Sequence, residues 1–155
     1  MQFFSVRDRQ DLIEPFLNSL GNHWPACKPW IGKHIGLCLM TKGSLPETII
    51  ATEHDEIVGG YTLDEKWIEE AGERGLWMPT LYVDPKFRRR NYSPKIIEHA
   101  RILGGKLGYE KIFLTSEHVN YYEKFGFHLY GPDYCALGDL TQMFWGTTIS
   151  EGGLE

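Results

Sequence analysis

The spacing of apolar residues along this chain predicts a series of short strands separated by few helices. Alternating or compact apolar runs bounded by turn residues are typical of strands. Such runs lie at residues 2–6, 47–54, 57–63, 76–83, 111–115, 127–130 and 140–145. The second and third runs are separated by a two-residue turn, Asp55 and Glu56, which predicts a hairpin. Pro79 lies inside the run at 76–83, where it marks an edge, a bulge or a point of strand separation.

Helical spacing of apolar residues occurs in two longer segments. Residues 7–20 contain an apolar stripe, with Pro15 as an unfavourable residue near its middle. Ser93 and Pro94 are suited to begin a helix, and apolar residues at helical spacing continue from there to residue 107. A short helix that ends at Gly126 is predicted at 121–124. The apolar run at 35–40 fits a strand or a helical turn, and its period does not separate the two.

Two internal segments are predicted to lack regular structure. Residues 21–34 are rich in Gly, Pro, Trp and His, and we expect a loop there. Residues 64–75 contain seven acidic or basic side chains, so we expect them to be solvated. The end of the chain, at 150–155, is predicted to fray.

The order of these elements predicts the fold class. A strand, a basic loop, a helix and a strand follow one another over residues 76–115, which is typical of a crossover between parallel strands. Because hairpins are predicted on both sides, the sheet is mixed and the class is α/β or α+β. The chain has 155 residues and no repeat or linker, so we expect one domain over residues 1–155.

Composition and charge exclude several classes of protein. The net charge of −5 disfavours general binding to nucleic acid, which depends on clustered Lys and Arg. No apolar run approaches the roughly 18 residues needed to span a bilayer, and charged residues at 7–11 interrupt any signal peptide. The three cysteines and six histidines show no metal-ligand or disulfide spacing. We therefore expect a cytoplasmic protein with no metal and no membrane partner.

The most informative segment is the basic loop from Lys86 to Pro94. It lies between a predicted strand and a predicted helix, so three guanidinium groups and several backbone N–H groups meet at a helix N-terminus. Such a position attracts a phosphate or pyrophosphate. A solvated surface charge run is the alternative interpretation. The loop is neither a Walker motif nor a dinucleotide fingerprint, and Asn91 tolerates the left-handed backbone that would turn its amides towards one point.

A second segment, residues 121–127, completes a family resemblance. The segment Val83-x-Pro85-x-Phe87-Arg88 followed by Asn91-Tyr92-Ser93, together with Tyr-Tyr-Glu-Lys-Phe-Gly-Phe at 121–127, resembles the GNAT superfamily of acyl-CoA N-acyltransferases. The resemblance covers roughly residues 47–145 and is strongest over 81–127. The family's cofactor loop is written Q/R-x-x-G-x-G/A. Here Arg88, Asn91 and Ser93 occupy its three defined positions, so both glycine positions of the motif hold other residues.

The resemblance implies a GNAT-like domain, with a mostly antiparallel twisted sheet flanked by helices and a splayed central pair of strands. It also implies acetyl-CoA as cofactor. The backbone of the predicted strand at 76–83 would contact the pantetheine arm, and the basic loop would hold the pyrophosphate. The implied cofactor-binding residues are Leu81, Tyr82, Val83, Arg88, Arg89, Arg90, Asn91, Tyr92 and Ser93.

The resemblance further implies direct transfer of an acetyl group to a primary amine. Tyr122 matches the family's tyrosine that protonates the leaving thiolate. Glu117 and His118 are candidates for the group that removes a proton from the amine, although each also fits a surface role. Glu65, Glu69 and Glu70 fit either an acidic rim for a cationic amine or, as we favour, a solvated loop.

The acceptor class is not determined by the sequence. A small-molecule amine or a peptide amine fits, and a homodimer is compatible with the family. Trp24 and Trp30 fit an acceptor pocket or ordinary core packing equally well. A non-catalytic acyl-CoA-binding or sensor domain on the same fold is the alternative function, because fold alone does not determine activity. A nucleic-acid-binding module that uses the three arginines is disfavoured by the net charge.

Overall fold

The computed structural model describes residues 1–69, 71–118 and 120–150. Within them are three α-helices: α1 (Ile13–His23), α2 (Lys28–Met40) and α3 (Tyr92–Lys106). The described strands are β1 (Gln2–Ser5), β2 (Glu47–Glu53), β3 (Glu56–Ile68), β4 (Glu73–Val83), β5 (Lys111–Ser116), β6 (His128–Tyr134) and β7 (Leu140–Thr147). They form one sheet in the order β1-β2-β3-β4-β5-β7-β6.

The pairing confirms the predicted mixed sheet. The pairs β1–β2, β2–β3, β5–β7 and β6–β7 are antiparallel. The pair β4–β5 is parallel, with Leu76, Trp77 and Met78 opposite residues 112–114. Pro79 follows the last of these paired residues, and β4 continues to Val83. The crossover predicted over residues 76–115 is therefore confirmed, with α3 between the two parallel strands.

The chain divides into two compact units. The first unit comprises Met1–Leu63 and Thr80–Ile96. Its core brings the buried faces of α1 and α2 together with residues of β2 and β4. The fully or almost fully buried side chains of this cluster are Val6, Phe16, Leu20, Ile31, Ile35, Cys38, Ile50 and Tyr82.

The second unit comprises Asp64–Pro79 and Ile97–Glu155. Ile68, Phe113 and Met143 form a buried cluster against Tyr130 and Trp145. Close packing also explains a glycine that is unfavourable in a helix. A Cβ atom at Gly104 of α3 would lie 2.7 Å from the Leu76 side chain and 3.0 Å from that of Thr148, so a larger residue would require these side chains to move.

The predicted loop at 21–34 is wrong. Helix α1 extends to His23 and α2 begins at Lys28, so most of this segment is helical. Pro29 lies in the first turn of α2, where its missing N–H costs little. Ile31, Ile35 and Cys38 then face the core at helical spacing, which also identifies the ambiguous run at 35–40 as helix. The Gly, Pro and Trp content concealed this stripe.

The helix predicted over 7–20 is confirmed only in its second half. A 3₁₀ turn at Gln10–Leu12 precedes α1, which begins at Ile13. Pro15 therefore lies in the first turn of α1, where a proline removes no intrahelical hydrogen bond. Pro15 is unfavourable in the middle of a helix over 7–20, and the regular helix does begin only two residues before it.

The predicted solvated loop at 64–75 is also wrong. Strand β3 extends to Ile68 and β4 begins at Glu73, with Gly72 in the left-handed region (φ +65°) between them. Some charged side chains of the segment have partners. Arg74 Nε donates to Glu65 Oε2 at 2.9 Å, and the Tyr109 hydroxyl donates to Glu65 Oε1 at 2.5 Å.

Acid should destabilise the second unit through His99. Burial, with a smaller effect of Lys106, lowers the pKa of His99 from 6.5 to about 4. The unfolded chain therefore takes up a proton before the folded chain does, and stability is lost as the pH falls from 6.5 towards 4. Urea midpoints at pH 7.5 and pH 5 should differ less in His99→Gln than in the wild type. The exposed-turn variant His54→Asn should keep the wild-type difference, and an unchanged difference in His99→Gln would contradict the assignment.

Candidate active site

The end of β4 in the first unit is anchored to α1 by its side chains. Tyr82 is fully buried, and its ring makes edge contacts with Phe16 and Trp24 at centroid distances of 6.2 and 5.2 Å. The Tyr82 hydroxyl donates to the Ser19 carbonyl at 3.0 Å. Because the Tyr82 side chain is buried in these contacts, only its backbone groups can take part in the predicted cofactor binding. Leu81 is half-buried and Val83 is buried beside it.

A short turn connects this strand to the basic loop. Asp84 caps a 3₁₀ turn at Pro85–Phe87 by accepting a hydrogen bond from Lys86 N at 2.9 Å. The Asp84 N–H donates to the Val58 carbonyl of β3 at 2.7 Å. These hydrogen bonds fix the direction in which the chain leaves the end of β4. Arg88, the first arginine of the basic loop, follows the turn directly.

The basic loop contains two residues with a left-handed backbone. Arg89 and Asn91 both lie in the left-handed region, with φ of +67° and +60°. The sequence predicted this for Asn91 and missed it for Arg89. Within the described residues, no hydrogen bond occupies the N–H groups of residues 89–91. Arg88, Arg89, Arg90 and Asn91 are exposed, and Arg88 Nε donates to the Val83 carbonyl at 3.2 Å.

The loop is held in place by an aromatic anchor. Phe87 is only 6% exposed and meets the edge of the Tyr92 ring at 5.8 Å. The Arg90 guanidinium lies over the Phe87 ring at 5.8 Å, and Lys95 lies over Tyr92 at 5.8 Å. Tyr92 and Ser93 are half-buried in the first turn of α3. Cations therefore surround the N-terminus of α3, where the helix dipole already favours an anion.

The left-handed conformation at Asn91 gives a direct test of the loop. Asn91→Val should weaken coenzyme A binding about tenfold, because a β-branched residue strongly disfavours positive φ. Asn91→Gly restores the residue type of the motif and should bind at least as tightly as the wild type. Titration calorimetry with coenzyme A measures both. Equal affinities for the valine variant and the wild type would show that the loop conformation does not matter for binding.

In the second unit, Tyr122 begins a 3₁₀ turn at Tyr122–Phe125. Gly126 ends the turn in the left-handed conformation (φ +86°), as the sequence predicts. Arg101 of α3 holds this turn, because its Nη1 donates to the Phe125 carbonyl at 3.1 Å and its Nε donates to the Thr147 carbonyl at 2.7 Å. The sequence did not indicate these contacts of Arg101.

The Tyr122 side chain lies in an aromatic cluster and is 7% exposed. The rings of Tyr121, Phe127 and Phe144 surround it at centroid distances of 5.0, 6.0 and 6.0 Å. Burial, and to a lesser extent Tyr121, raises the pKa of Tyr122 to about 12, while the nearby Ser116 side chain opposes the rise. The Tyr122 hydroxyl therefore keeps its proton throughout the neutral pH range. Ser116 was not predicted as a site residue.

The candidate base residues differ in their surroundings. Glu117 and His118 are both exposed. The His118 ring lies 5.6 Å from the Tyr121 ring, and His118 N donates to Ser116 Oγ at 3.0 Å. His118 is thus connected to the Tyr122 cluster through two neighbours.

The three residues of the alternative acidic rim differ in what the structure describes of them. The Glu65 carboxylate contacts Tyr109 and Arg74, and these hydrogen bonds lower its pKa. Glu69 is exposed. Glu70 lies outside the described residues. The acidic rim therefore stays a prediction, with Glu65 already engaged by Tyr109 and Arg74.

The remaining candidates have structural surroundings. Trp24 and Trp30 are partly buried and pack against the core of the first unit, and Trp30 stacks on His34 at 5.1 Å. Among the described residues, no group of three or more His, Cys, Asp or Glu side chains could hold a metal ion. No helix in the described part of the chain has the length and apolar character to cross a bilayer.

Comparison with known proteins identifies the family. The model described as "Acetyltransferase (GNAT) domain" matches residues 45–129, which is more than half of the chain. No curated protein matches the sequence. The chain belongs to the GNAT family of acetyltransferases, whose cofactor is acetyl-CoA. The predicted family, fold class, enzyme class and cofactor are confirmed.

Solved structures share the fold at low sequence identity. An aminoglycoside 6'-N-acetyltransferase in complex with coenzyme A aligns with a TM-score of 0.72 and 15% identity, covering 97% of this chain and 99% of that one. A GNAT-family protein from Desulfovibrio desulfuricans aligns with a TM-score of 0.71 and 16% identity, covering 94% and 98%. A protein named as a streptothricin acetyltransferase from Bacillus anthracis, with acetyl coenzyme A bound, aligns with a TM-score of 0.55 and 20% identity. That alignment covers 68% of this chain, which spans 64% of the length of the relative.

Proposed function

We propose that residues 1–155 work as one domain that transfers an acetyl group from acetyl-CoA directly to a primary amine. The observation that carries the proposal is the exposed loop at 88–91. Within the described residues, the N–H groups of residues 89–91 have no acceptor, and two residues of the loop have positive φ. Backbone amides presented in this way beside a helix N-terminus bind phosphate oxygens.

The cofactor would extend along the first unit from the loop to the end of β4. Arg88, Arg89 and Arg90 neutralise the charge of the pyrophosphate, while the N–H groups of residues 89–93 donate hydrogen bonds to it. The backbone of Leu81, Tyr82 and Val83 pairs with the amide groups of the pantetheine arm. A backbone N–H of the same strand polarises the acetyl oxygen, because negative charge develops there as the amine attacks.

The chemical step would form a C–N bond and break the C–S bond of the thioester. The neutral amine attacks the acetyl carbon, and the tetrahedral intermediate then expels the thiolate of coenzyme A. Tyr122 donates its proton to the sulfur. Since burial keeps its pKa near 12, the hydroxyl is fully protonated when the thiolate leaves.

The attacking amine must lose one proton before it attacks and another as the product forms. Glu117 and His118 are the proposed acceptors of these protons, through water, since both side chains are exposed at the end of β5. The location of His118 beside Tyr121 favours it over Glu117.

The proposed acceptor is a small-molecule amine or a peptide amine. Several structures with this fold carry names of enzymes that acetylate aminoglycosides or streptothricin, and this supports including amino sugars among the acceptors. We also propose a cytoplasmic location, since Cys27, Cys38 and Cys135 form no disulfide in the described part of the chain. We propose, in addition, that two copies of the chain form a homodimer.

The test is a pair of measurements on the unmodified protein. Calorimetry with coenzyme A should show binding, and thiol release from acetyl-CoA should depend on a primary amine from a panel of aminoglycosides, polyamines, amino acids and lysine peptides. Binding without turnover across the panel would favour the non-catalytic sensor. Absence of coenzyme A binding would refute both functions.

A further inference from the structure

We propose that Ser19 of α1 is a positioning residue for the cofactor loop, because its hydroxyl connects the end of β4 to the turn from which the loop begins. The inference rests on the proposed function, in which this loop holds the pyrophosphate. Ser19 lies on α1 next to the buried residues Phe16 and Leu20, so it faces the strand that these residues cover. No cofactor contact is assigned to Ser19 itself.

The hydrogen bonds of Ser19 have a defined direction. The Ser19 hydroxyl donates to Asp84 Oδ2 at 2.6 Å, since an ionised carboxylate can only accept. The Tyr82 hydroxyl lies 3.0 Å from both the Ser19 carbonyl oxygen and Ser19 Oγ, so its single proton is also directed at Ser19. A hydroxyl-to-carboxylate hydrogen bond of this length is among the stronger neutral-to-charged contacts.

The Asp84 carboxylate is thereby held from two sides. Its Oδ2 accepts from Ser19, and its Oδ1 accepts from Lys86 N at 2.9 Å. Partial burial opposes ionisation, but these two hydrogen bonds and the nearby charges of His23 and Lys86 lower the pKa of Asp84. The carboxylate therefore stays ionised and keeps both partners at neutral pH.

Fixing Asp84 fixes the direction of the loop. The Asp84 N–H donates to the Val58 carbonyl, Arg88 Nε donates to the Val83 carbonyl, and only three residues lie between Asp84 and Arg88. A rotation of the Asp84 side chain would release the Lys86 N–H and loosen the 3₁₀ turn, which would keep only its backbone hydrogen bonds from Phe87 N to the Asp84 carbonyl and from Arg88 N to the Pro85 carbonyl. The loop amides would then sample several directions, and the pyrophosphate would have to order them on binding.

The experiment compares two acyl donors. Acetyl-CoA contains the pyrophosphate, whereas S-acetyl-pantetheine lacks it. In Ser19→Ala the KM for acetyl-CoA should rise about tenfold with kcat nearly unchanged, which corresponds to the loss of one hydrogen bond to a charged group. With S-acetyl-pantetheine, kcat/KM should change less than about twofold, because that donor does not use the loop.

Matched variants separate positioning from general damage. Asn18→Ala removes an exposed polar side chain from the same helix and should behave as the wild type with both donors. Ser19→Thr keeps the hydroxyl and should restore the KM for acetyl-CoA. Ser19→Cys has nearly the same volume and a weaker donor, so it provides the comparison if Ser19→Ala does not fold.

Two results would overturn the inference. One is an unchanged KM for acetyl-CoA in both Ser19→Ala and Ser19→Cys. The other is an equal loss with acetyl-CoA and S-acetyl-pantetheine, which would make Ser19 a general stabilising residue. If the unmodified protein binds no coenzyme A, the proposed function fails first, and this inference fails with it.

Discussion

Replacing Tyr122 with phenylalanine should lower kcat about 100-fold or more and leave the KM for acetyl-CoA nearly unchanged. The variant keeps the ring that packs against Phe127 and Phe144 and removes only the proton donor to the thiolate. Because the leaving thiolate exists only late in the reaction, the loss should affect the transition state and not cofactor binding. Steady-state thiol release with a saturating amine measures both constants.

Tyr121→Phe is the matched control for this experiment. Tyr121 lies beside Tyr122, with ring centroids 5.0 Å apart, and it is less buried. Its phenylalanine variant should retain most of the wild-type kcat. Comparable losses in the two variants would argue that the aromatic cluster as such supports activity and that Tyr122 is not the general acid. In the wild type, kcat should also show no decline from Tyr122 ionisation below about pH 11, since its pKa is about 12.

Gly59→Ala should be the most destabilising of the single substitutions considered. A Cβ atom at Gly59 of β3 would lie 1.9 Å from the Tyr82 carbonyl oxygen and 3.0 Å from Val83 Cα. Backbone atoms cannot rotate away as a flexible side chain can, so β4 must shift. We expect the free energy of unfolding to fall by about 3 kcal/mol, at the upper end of what overpacking costs. Urea denaturation measures the change.

The same substitution should impair the cofactor strand. A shift of β4 at Tyr82 and Val83 would displace the backbone groups proposed to bind pantetheine, and kcat/KM for acetyl-CoA should fall at least about tenfold. Gly36→Ala is the control, because no heavy atom lies within 4 Å of a Cβ built at that helical glycine. It should raise stability by about 0.5–1 kcal/mol. A stable, active Gly59→Ala protein would show that β3 and β4 can separate without loss of function.

Local signals in the sequence predicted much of the fold. The short apolar runs predicted the strands, because the two-residue period of a strand is visible in any half-buried segment. Gly126 and Asn91 were identified as turn residues, and the structure places both at positive φ. The parallel crossover followed from the order of the elements, since parallel strands need a long connection.

Composition misled the prediction in two segments. In α2, glycine and tryptophan concealed the stripe of Ile31, Ile35 and Cys38, although helix packing on the core outweighs the low propensity of two glycines. In β3 and β4, charged residues suggested a loop. There Glu65 pairs with Arg74 and accepts a hydrogen bond from Tyr109, which lies 44 positions away in the sequence. Pairing between such residues cannot be predicted from either segment alone.

By itself, the sequence determined the family, the mixed sheet, the basic loop and the position of Tyr122, because each depends on residue types at short spacing. Only the tertiary structure decided what holds these parts in place. The contacts of Ser19 with Asp84, Arg101 with Phe125, and Gly59 with Tyr82 join residues 23 to 65 positions apart. Local spacing contains no signal for such contacts, since they arise only when the core brings distant segments within hydrogen-bonding or van der Waals distance.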